Sequence, residues 1–326
     1  MLTPFSCREQ PNMINCTINN TSQEGIVLFQ FIIYLPTVSL GIPLTMTAFW
    51  IFCCKLKIWT ETRVYMINLM VADSFLLFAL PFVIYFTKCN YPSDKLCAVI
   101  ENIYFINRPM SILIITLIAI DRYIAIKFPL KAKMLRSPLK SASTCVFLWI
   151  TLIIYVNLRQ RFYPKDTYNT TDKKKICFQK ESTEPNYSLL FSIIFGYFIP
   201  LVIVIFCSVQ VITYLKKKMA TSPYETKKAV YIVSANMAVF IICFLPLYLG
   251  HLLRFIMDSI SSNCSAIQSV NNFVHFASVL ANTNCCLDAI CYYFVNKEFK
   301  EASPKLAKSK SETSEKAEVQ LPCVTY

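Results

Sequence analysis

Three ionisable residues, Asp73, Arg108 and Asp288, stand inside long apolar stretches of this 326-residue sequence. Burying a charge in such surroundings is costly, so each is a candidate for chemistry. Asn107, Ser111 and Asn284 fall at a depth similar to that of the two aspartates. Two carboxylates and three neutral oxygens converging in a helix bundle would suit a hard cation, with Na⁺ or a proton as occupant. The alternative is a water-filled hydrogen-bond network in which one aspartate is protonated. Arg108 offers a planar fork of donors matched to a carboxylate or phosphate. Tyr104, one turn away, shares its helix face. Pairing with a protein acid such as Glu101, or snorkelling outward, is the competing reading. Arg159, Arg161 and Arg254 leave neighbouring apolar stretches, and with Lys173–Lys175 they would form a positive funnel over the pocket. For the lysines, a solvated loop with no ligand role competes. His251 and His275 either line the pocket or pack as neutral rings; their separation cannot support a metal site. Asp121-Arg122-Tyr123 ends an apolar stretch, as an interfacial anchor or as an ion pair that opens on activation, with Glu225 as a further contributor.

These residues need membrane-spanning helices to hold them. Hydrophobic residues make up 55% of the chain and charged residues 16%, against roughly 25% charged in soluble domains. Nearly uncharged stretches lie near Ile26–Cys54, Val64–Thr87, Leu96–Ile126, Ser141–Leu158, Tyr187–Leu215, Ala229–Leu253 and Ala266–Val295. Each is long enough to cross a bilayer with some tilt. The expected fold is therefore an all-α membrane protein, a seven-transmembrane helix bundle over residues 26–295. Residues 1–25 form an outer N-terminus without an apolar signal region, and residues 296–326 an amphipathic stretch around Phe299 followed by a polar tail. A soluble enzyme or a nucleic-acid binder is excluded as the main body, and the net charge of +13 is read by side of the membrane.

Lys and Arg set that side. Segments 55–63, 127–140 and 215–228 carry 3, 5 and 5 of them, while 88–96 and 254–265 carry 2 and 1. The basic loops are expected in the cytoplasm, with the N-terminus outside and the C-terminus inside. Loop 159–186 departs from the rule, with seven basic residues against four acids. Glycosylation sequons at Asn15, Asn19, Asn20, Asn169 and Asn263 all fall on the assigned outer side. Of 15 cysteines, Cys7, Cys16, Cys89, Cys97, Cys177 and Cys264 are expected outside, where disulfides persist. Joining Cys97 to Cys177 would pin the long loop over the bundle. Cys264 would then pair with Cys7 or Cys16 if it pairs at all. The membrane cysteines read as small packing residues.

Asp73, Asp121-Arg122-Tyr123, Cys97 with Cys177, and Asp288-Ala-Ile-Cys-Tyr292 on a seven-span chain resemble the rhodopsin-like G-protein-coupled receptors. The resemblance covers about residues 26–303 and implies a short amphipathic eighth helix. Phe244-Leu-Pro246 resembles the family's kinked sixth helix, and Pro200, Ile112 and Phe240 its connector between pocket and G-protein face. It implies a Cys97–Cys177 disulfide, an allosteric Na⁺ near Asp73, and an activation role for Tyr292. Thr45, Ser208 and Asp288-Ala289 depart from the family pattern. Trp59-Thr-Glu-Thr-Arg63, Asn107-Arg108, Leu135-Arg-Ser-Pro138 and Asn284-Cys-Cys-Leu-Asp288 resemble a branch responsive to anionic aromatic acids and lysophospholipids. That branch implies ligand contacts at Arg108, Tyr104, Arg159 and Arg254, with Asn271, Asn272 and Val279 where it carries basic residues. It also implies coupling to heterotrimeric G proteins of inhibitory or G12/13 type. The expected partners are an anionic small molecule, the G protein, the lipid bilayer, and arrestin through phosphorylated Ser309, Ser311, Thr313 and Ser314. A receptor for a peptide or chemokine is the runner-up. A retinal protein needs a Schiff-base lysine that residues 266–295 lack. A transporter would show internal repeats and paired broken helices, and no nucleophile–base or metal constellation marks an enzyme. The sequence thus reads as a plasma-membrane receptor.

Overall fold

The computed structural model describes residues 20–55, 59–162, 177–178, 187–218, 223–260 and 264–290. Helices run over α1 (Asn20–Trp50), α2 (Glu61–Lys88), α3 (Lys95–Lys127), α4 (Pro129–Leu135), α5 (Pro138–Phe162), α6 (Tyr187–Ile193), α7 (Ile199–Lys218), α8 (Pro223–Ile260) and α9 (Cys264–Asn282). Two π-helical turns, Ile51–Lys55 and Ile194–Phe198, continue α1 and join α6 to α7. Six helical segments are long and apolar enough to cross a membrane. With α9 and its continuation they make the expected seven-helix bundle.

The elements follow from local chemistry. Asp94 caps α3: its carboxylate accepts from the Cys97 amide at 2.8 Å and from the Tyr91 hydroxyl at 2.9 Å. The Cys97 amide, followed by the Tyr91 hydroxyl, holds that carboxyl below the usual range. Thr60 caps α2 through the Arg63 amide. Inside the spans, hydroxyls return to the carbonyl four residues back, as Thr37 does to Ile33 and Thr116 to Ile112, both at 2.7 Å. Pro36, Pro43, Pro81, Pro109 and Pro246 lie within helices, and each removes one ladder hydrogen bond. Pro200 follows the π turn of the fifth span, where the missing amide relaxes the ladder.

The seventh span departs from expectation. It is read as one stretch from the sequence, yet the helix turns at Thr283 and resumes over residues 284–290. The Thr283 amide and hydroxyl both donate to the Leu280 carbonyl, at 3.1 and 2.7 Å, diverting the ladder there. The short helix α4 is a second addition, started by Pro129 in its first turn.

One face of each span carries exposed apolar side chains, among them Leu28, Phe31 and Ile32 on α1 and Phe147, Ile150 and Ile154 on α5. Around a bundle of this kind such a surface meets lipid. The buried faces form three clusters. One joins α2, α3 and α5 through Met70, Met110 and Cys145. A second joins α1, α2 and α3 beneath the Cys97–Cys177 disulfide. The third joins α3, α8 and α9 through Ile112, Phe240 and Ala281. The disulfide is the one the family resemblance implies, with Cα atoms 5.9 Å apart, and Cys177 also donates its amide to the Tyr91 carbonyl at 2.8 Å. Cys89 is disulfide-bonded as well, which the sequence reading leaves unassigned. Cys7, Cys16 and the Cys264 side chain lie outside the described residues, as do all five sequon asparagines' side chains, Tyr292, the eighth helix and the tail.

Two outcomes follow. Cys97→Ala and Cys177→Ala should each lower surface expression, because a native disulfide supplies roughly 2–5 kcal/mol of folding stability. The double variant should be no worse than either single one; additive loss would show that the residues act apart. Gly41 packs α1 tightly on its neighbours: a Cβ there would lie 2.7 Å from Leu77 Cδ2 and 2.9 Å from Cys286 Sγ. Gly41→Leu should destabilise the detergent-solubilised protein by about 1–3 kcal/mol. An unchanged Tm would show that α1 can move aside.

Candidate ligand pocket and ion site

Arg108 lies on the buried face of α3 and is 8% exposed. Its Nη2 donates to the Tyr104 and Ser278 hydroxyls, and its Nε to Asn282 Oδ1 at 3.4 Å. The guanidinium carbon stands 4.4 Å from the Tyr104 ring centre. Asn282 Nδ2 in turn donates to the Tyr34 and Tyr104 hydroxyls at 2.6 and 3.0 Å. One cation thus gathers neutral acceptors from α1, α3 and α9. No carboxylate among the described residues pairs with it. Glu101, the acid considered as its partner, instead accepts from the Phe178 amide at 2.8 Å.

That contact places an aromatic cover. Phe178 adopts φ 64°, a left-handed conformation uncommon for a side-chain-bearing residue. Its neighbour Cys177 is fixed by the disulfide, and Glu101 fixes its own amide. Its ring packs edge-on to Tyr104 at 5.4 Å. On the α8 side, Tyr248 stacks on Tyr197 with centres 4.3 Å apart, and His251 lies 6.3 Å beyond.

Arg254 differs from the funnel expected of it. It is buried, and its Nε donates to Asp258 at 2.7 Å, while Nη1 donates to Asn271. Its charge is already compensated by an acid one turn along α8. Arg159 and Arg161 belong to the last turns of α5, with side chains outside the described residues; Lys173–Lys175 are outside them altogether.

One level deeper, Asp73, Asn107, Ser111, Asn284 and Asp288 are all buried. Asn284 Nδ2 donates to Asp288 Oδ2 at 2.6 Å. Asp73 Oδ1, Asn107 Nδ2, Ser111 Oγ and Asn284 Oδ1 have no hydrogen-bond partner. Asp288 is close enough to act on Asp73 through its charge. Orphaned polar atoms in an apolar interior are expensive, and three of these four are oxygens, the donors a hard cation takes.

At the opposite end of α3, the Asp121 carboxylate is held from two sides. Arg136 donates to Oδ1 and Oδ2 at 2.7 and 2.9 Å, and Thr62 donates to Oδ2 at 2.6 Å. Arg136 also reaches Glu61 at 3.1 Å. The sequence reading offers the adjacent Arg122 as the partner of Asp121; the bidentate partner is Arg136, just beyond α4. Tyr123 packs against Phe128 and Phe206. Between the two ends, Ile112, Phe240 and Phe244 share one cluster with Tyr197, Phe240 meets Phe244 edge-on at 5.5 Å, and Pro200 is buried in α7. Pro246 lies within α8 two residues beyond Phe244.

Sequence reasoning passes over Tyr34, Ser278 and Asn282 around Arg108. Ser278 and Asn282 carry a signal, being polar residues four apart in an apolar span. Tyr34 carries none. Glu61, Thr62 and Arg136 stand within the quoted motifs Trp59-Thr-Glu-Thr-Arg63 and Leu135-Arg-Ser-Pro138, and their convergence on Asp121 is what the motifs have in common.

The profile of the 7 transmembrane receptor (rhodopsin family) matches residues 44–292. The chain is 40% identical over 297 residues to G-protein coupled receptor 35 of Mus musculus, covering 90% of this chain and 93% of the relative. It is 34% identical over 286 residues to G-protein coupled receptor 55 of Homo sapiens, covering 85% and 88%. With lysophosphatidic acid receptor 6 of Gallus gallus it shares 32% identity over 276 residues, covering 82% and 89%. Together with the six membrane-length helices and the Cys97–Cys177 disulfide, these matches make the chain a multi-pass membrane protein belonging to the rhodopsin family of seven transmembrane receptors.

Proposed function

We propose that this chain is a plasma-membrane receptor for an anionic small molecule, an aromatic carboxylate such as a tryptophan metabolite or a lysophospholipid. Ligand binding activates heterotrimeric G proteins of inhibitory or G12/13 type, with the N-terminus outside and the tail inside. Arrestin then engages phosphorylated Ser309, Ser311, Thr313 and Ser314. One observation carries the reading: Arg108 is a buried cation whose described partners are all neutral. A buried charge without a countercharge is unfavourable, and a ligand carboxylate or phosphate would supply one. Lysophosphatidic acid receptor 6, by its name, binds a lipid with an anionic headgroup. The aromatic rings of Tyr104, Phe178 and Tyr248 suit a flat or apolar ligand body.

In operation the guanidinium would exchange its Ser278 and Tyr104 bonds for the ligand anion. The released hydroxyls belong to α9 and α3, so ligand entry alters the tie between them. Na⁺, where bound, would be held by Asp73, Asn107, Ser111, Asn284 and Asp288, supplying positive charge to two facing carboxylates.

G-protein dissociation in cells should answer acidic metabolites and not their neutral amides; amide-selective responses would overturn the reading. Arg108→Ala should cost ~2–5 kcal/mol of agonist binding, a loss of potency beyond tenfold, at unchanged surface level. Unaltered potency would remove Arg108 from the pocket. The ion site makes a separate forecast. If activation contracts the site, Na⁺ and agonist oppose each other, and the opposition is reciprocal. Replacing a large organic cation by Na⁺ at constant ionic strength, which holds screening fixed, should weaken agonist affinity. Asp73→Asn should blunt the effect. Equal affinity in both salts would leave a protonated hydrogen-bond network in place of the ion.

A further inference from the structure

We propose that Cys53 and Cys54 form an S-acylation site, taking a long-chain fatty acyl group in thioester linkage. Both thiols are free and exposed, whereas Cys145, Cys207, Cys243 and Cys285 are buried. A packing role needs neighbours, and these two side chains point away from them. The two are not paired with each other, each being a free thiol.

Their position fits a membrane boundary. They sit in the π turn Ile51–Lys55 that ends the first span. Trp50 and Trp59, 53% and 57% exposed, bracket them, as interfacial tryptophans bracket a bilayer edge. Lys55 and Lys57 follow at once in sequence. The turn is anchored rather than loose. Phe52 is fully buried, its carbonyl accepts from the buried Arg63 guanidinium, and Arg63 stands 4.1 Å over the Trp59 ring. Phe52 therefore fixes the turn inward while the next two thiols are presented outward at the depth of the headgroups. Juxtamembrane cysteines beside basic residues are the positions that accept such chains.

The reaction is acyl transfer without redox change. A cysteine sulfur attacks the carbonyl of a long-chain acyl-coenzyme A; the new S–C bond forms, the bond to the coenzyme A sulfur breaks, and coenzyme A leaves with the thiol proton. The chain would then clamp the segment between α1 and α2 to the inner leaflet. The proposal rests on the orientation given under Proposed function, which places this turn on the cytoplasmic side.

Full-length protein with an N-terminal tag and Cys323→Ser, which removes the tail thiol, would be expressed in cells fed an alkyne analogue of palmitate. Hydroxylamine-sensitive label is expected on this chain. It should fall to background in the added Cys53→Ser/Cys54→Ser variant and only in part in each single variant, all at equal surface level. Label that survives the double substitution overturns the site. Antibody access to the tag in intact cells tests orientation independently. Absent label with an accessible tag overturns acylation itself; absent label with an inaccessible tag overturns the orientation beneath it.

Discussion

A guanidinium enclosed in an apolar bundle has to be solvated by the protein, and meeting that demand at Arg108 organises the upper half of the molecule. Five donors cannot be left bare where water is scarce. Tyr104 and Ser278 accept from it directly, Asn282 accepts from Nε, and Tyr34 is drawn in through the Asn282 amide. Hydrogen bonds satisfy the geometry of the fork but leave its net charge intact. The same group that ties α1, α3 and α9 together therefore attracts an anion more strongly than any of its present partners. Structural support and proposed ligand recognition are two consequences of one unneutralised charge.

The residues next to Arg108 extend this logic along α3. Asn107 neighbours the buried Asp73, Ser111 is buried one turn on, and Ile112 joins the cluster containing Phe240 and Phe244. Residues 104–112 thus carry the Arg108 cluster, two residues of the candidate ion site and Ile112 of the aromatic core within little more than two turns. Pro109 lies in the middle of this stretch and withholds the amide that would bond the residue 105 carbonyl. A helix missing one rung is easier to bend there. A change in how Arg108 is held can then be felt by Asn107, Ser111 and Ile112 without any longer pathway.

How much of this was legible follows from where the signal lies. Charge-free stretches and bilayer thickness are properties of the chain alone, and the spans they mark match α1, α2, α3, α5, the fifth-span pair and α8. Isolated ionisable residues in those spans are equally visible, so Asp73, Arg108 and Asp288 stood out. Partner choice is different. Arg136 is fifteen residues from Asp121, and nothing in the chain says that α4 returns it to the end of α3. Adjacent residues in a helix point about 100° apart, which disfavours the Asp121–Arg122 pairing that sequence adjacency suggests. The seventh-span break was hidden for the same reason: Thr283 is a common span residue until its hydroxyl takes the Leu280 carbonyl.

Arg254 and Arg108 show why charge alone does not define a pocket. Both are buried arginines on spans, and the family resemblance implies a ligand contact at each. Arg254 has Asp258 one turn away on α8, so its charge is met within its own helix. Arg108 has tyrosine, serine and asparagine around it and an acid on none of the described sides. A carboxylate ligand approaching Arg254 would have to compete with a covalently tethered carboxylate at 2.7 Å. At Arg108 it competes only with neutral oxygens, which bind a cation far less tightly. Between these two arginines, the absence of a tethered rival favours Arg108 for the proposed anion, while Arg254 holds α8 against Asn271 of α9.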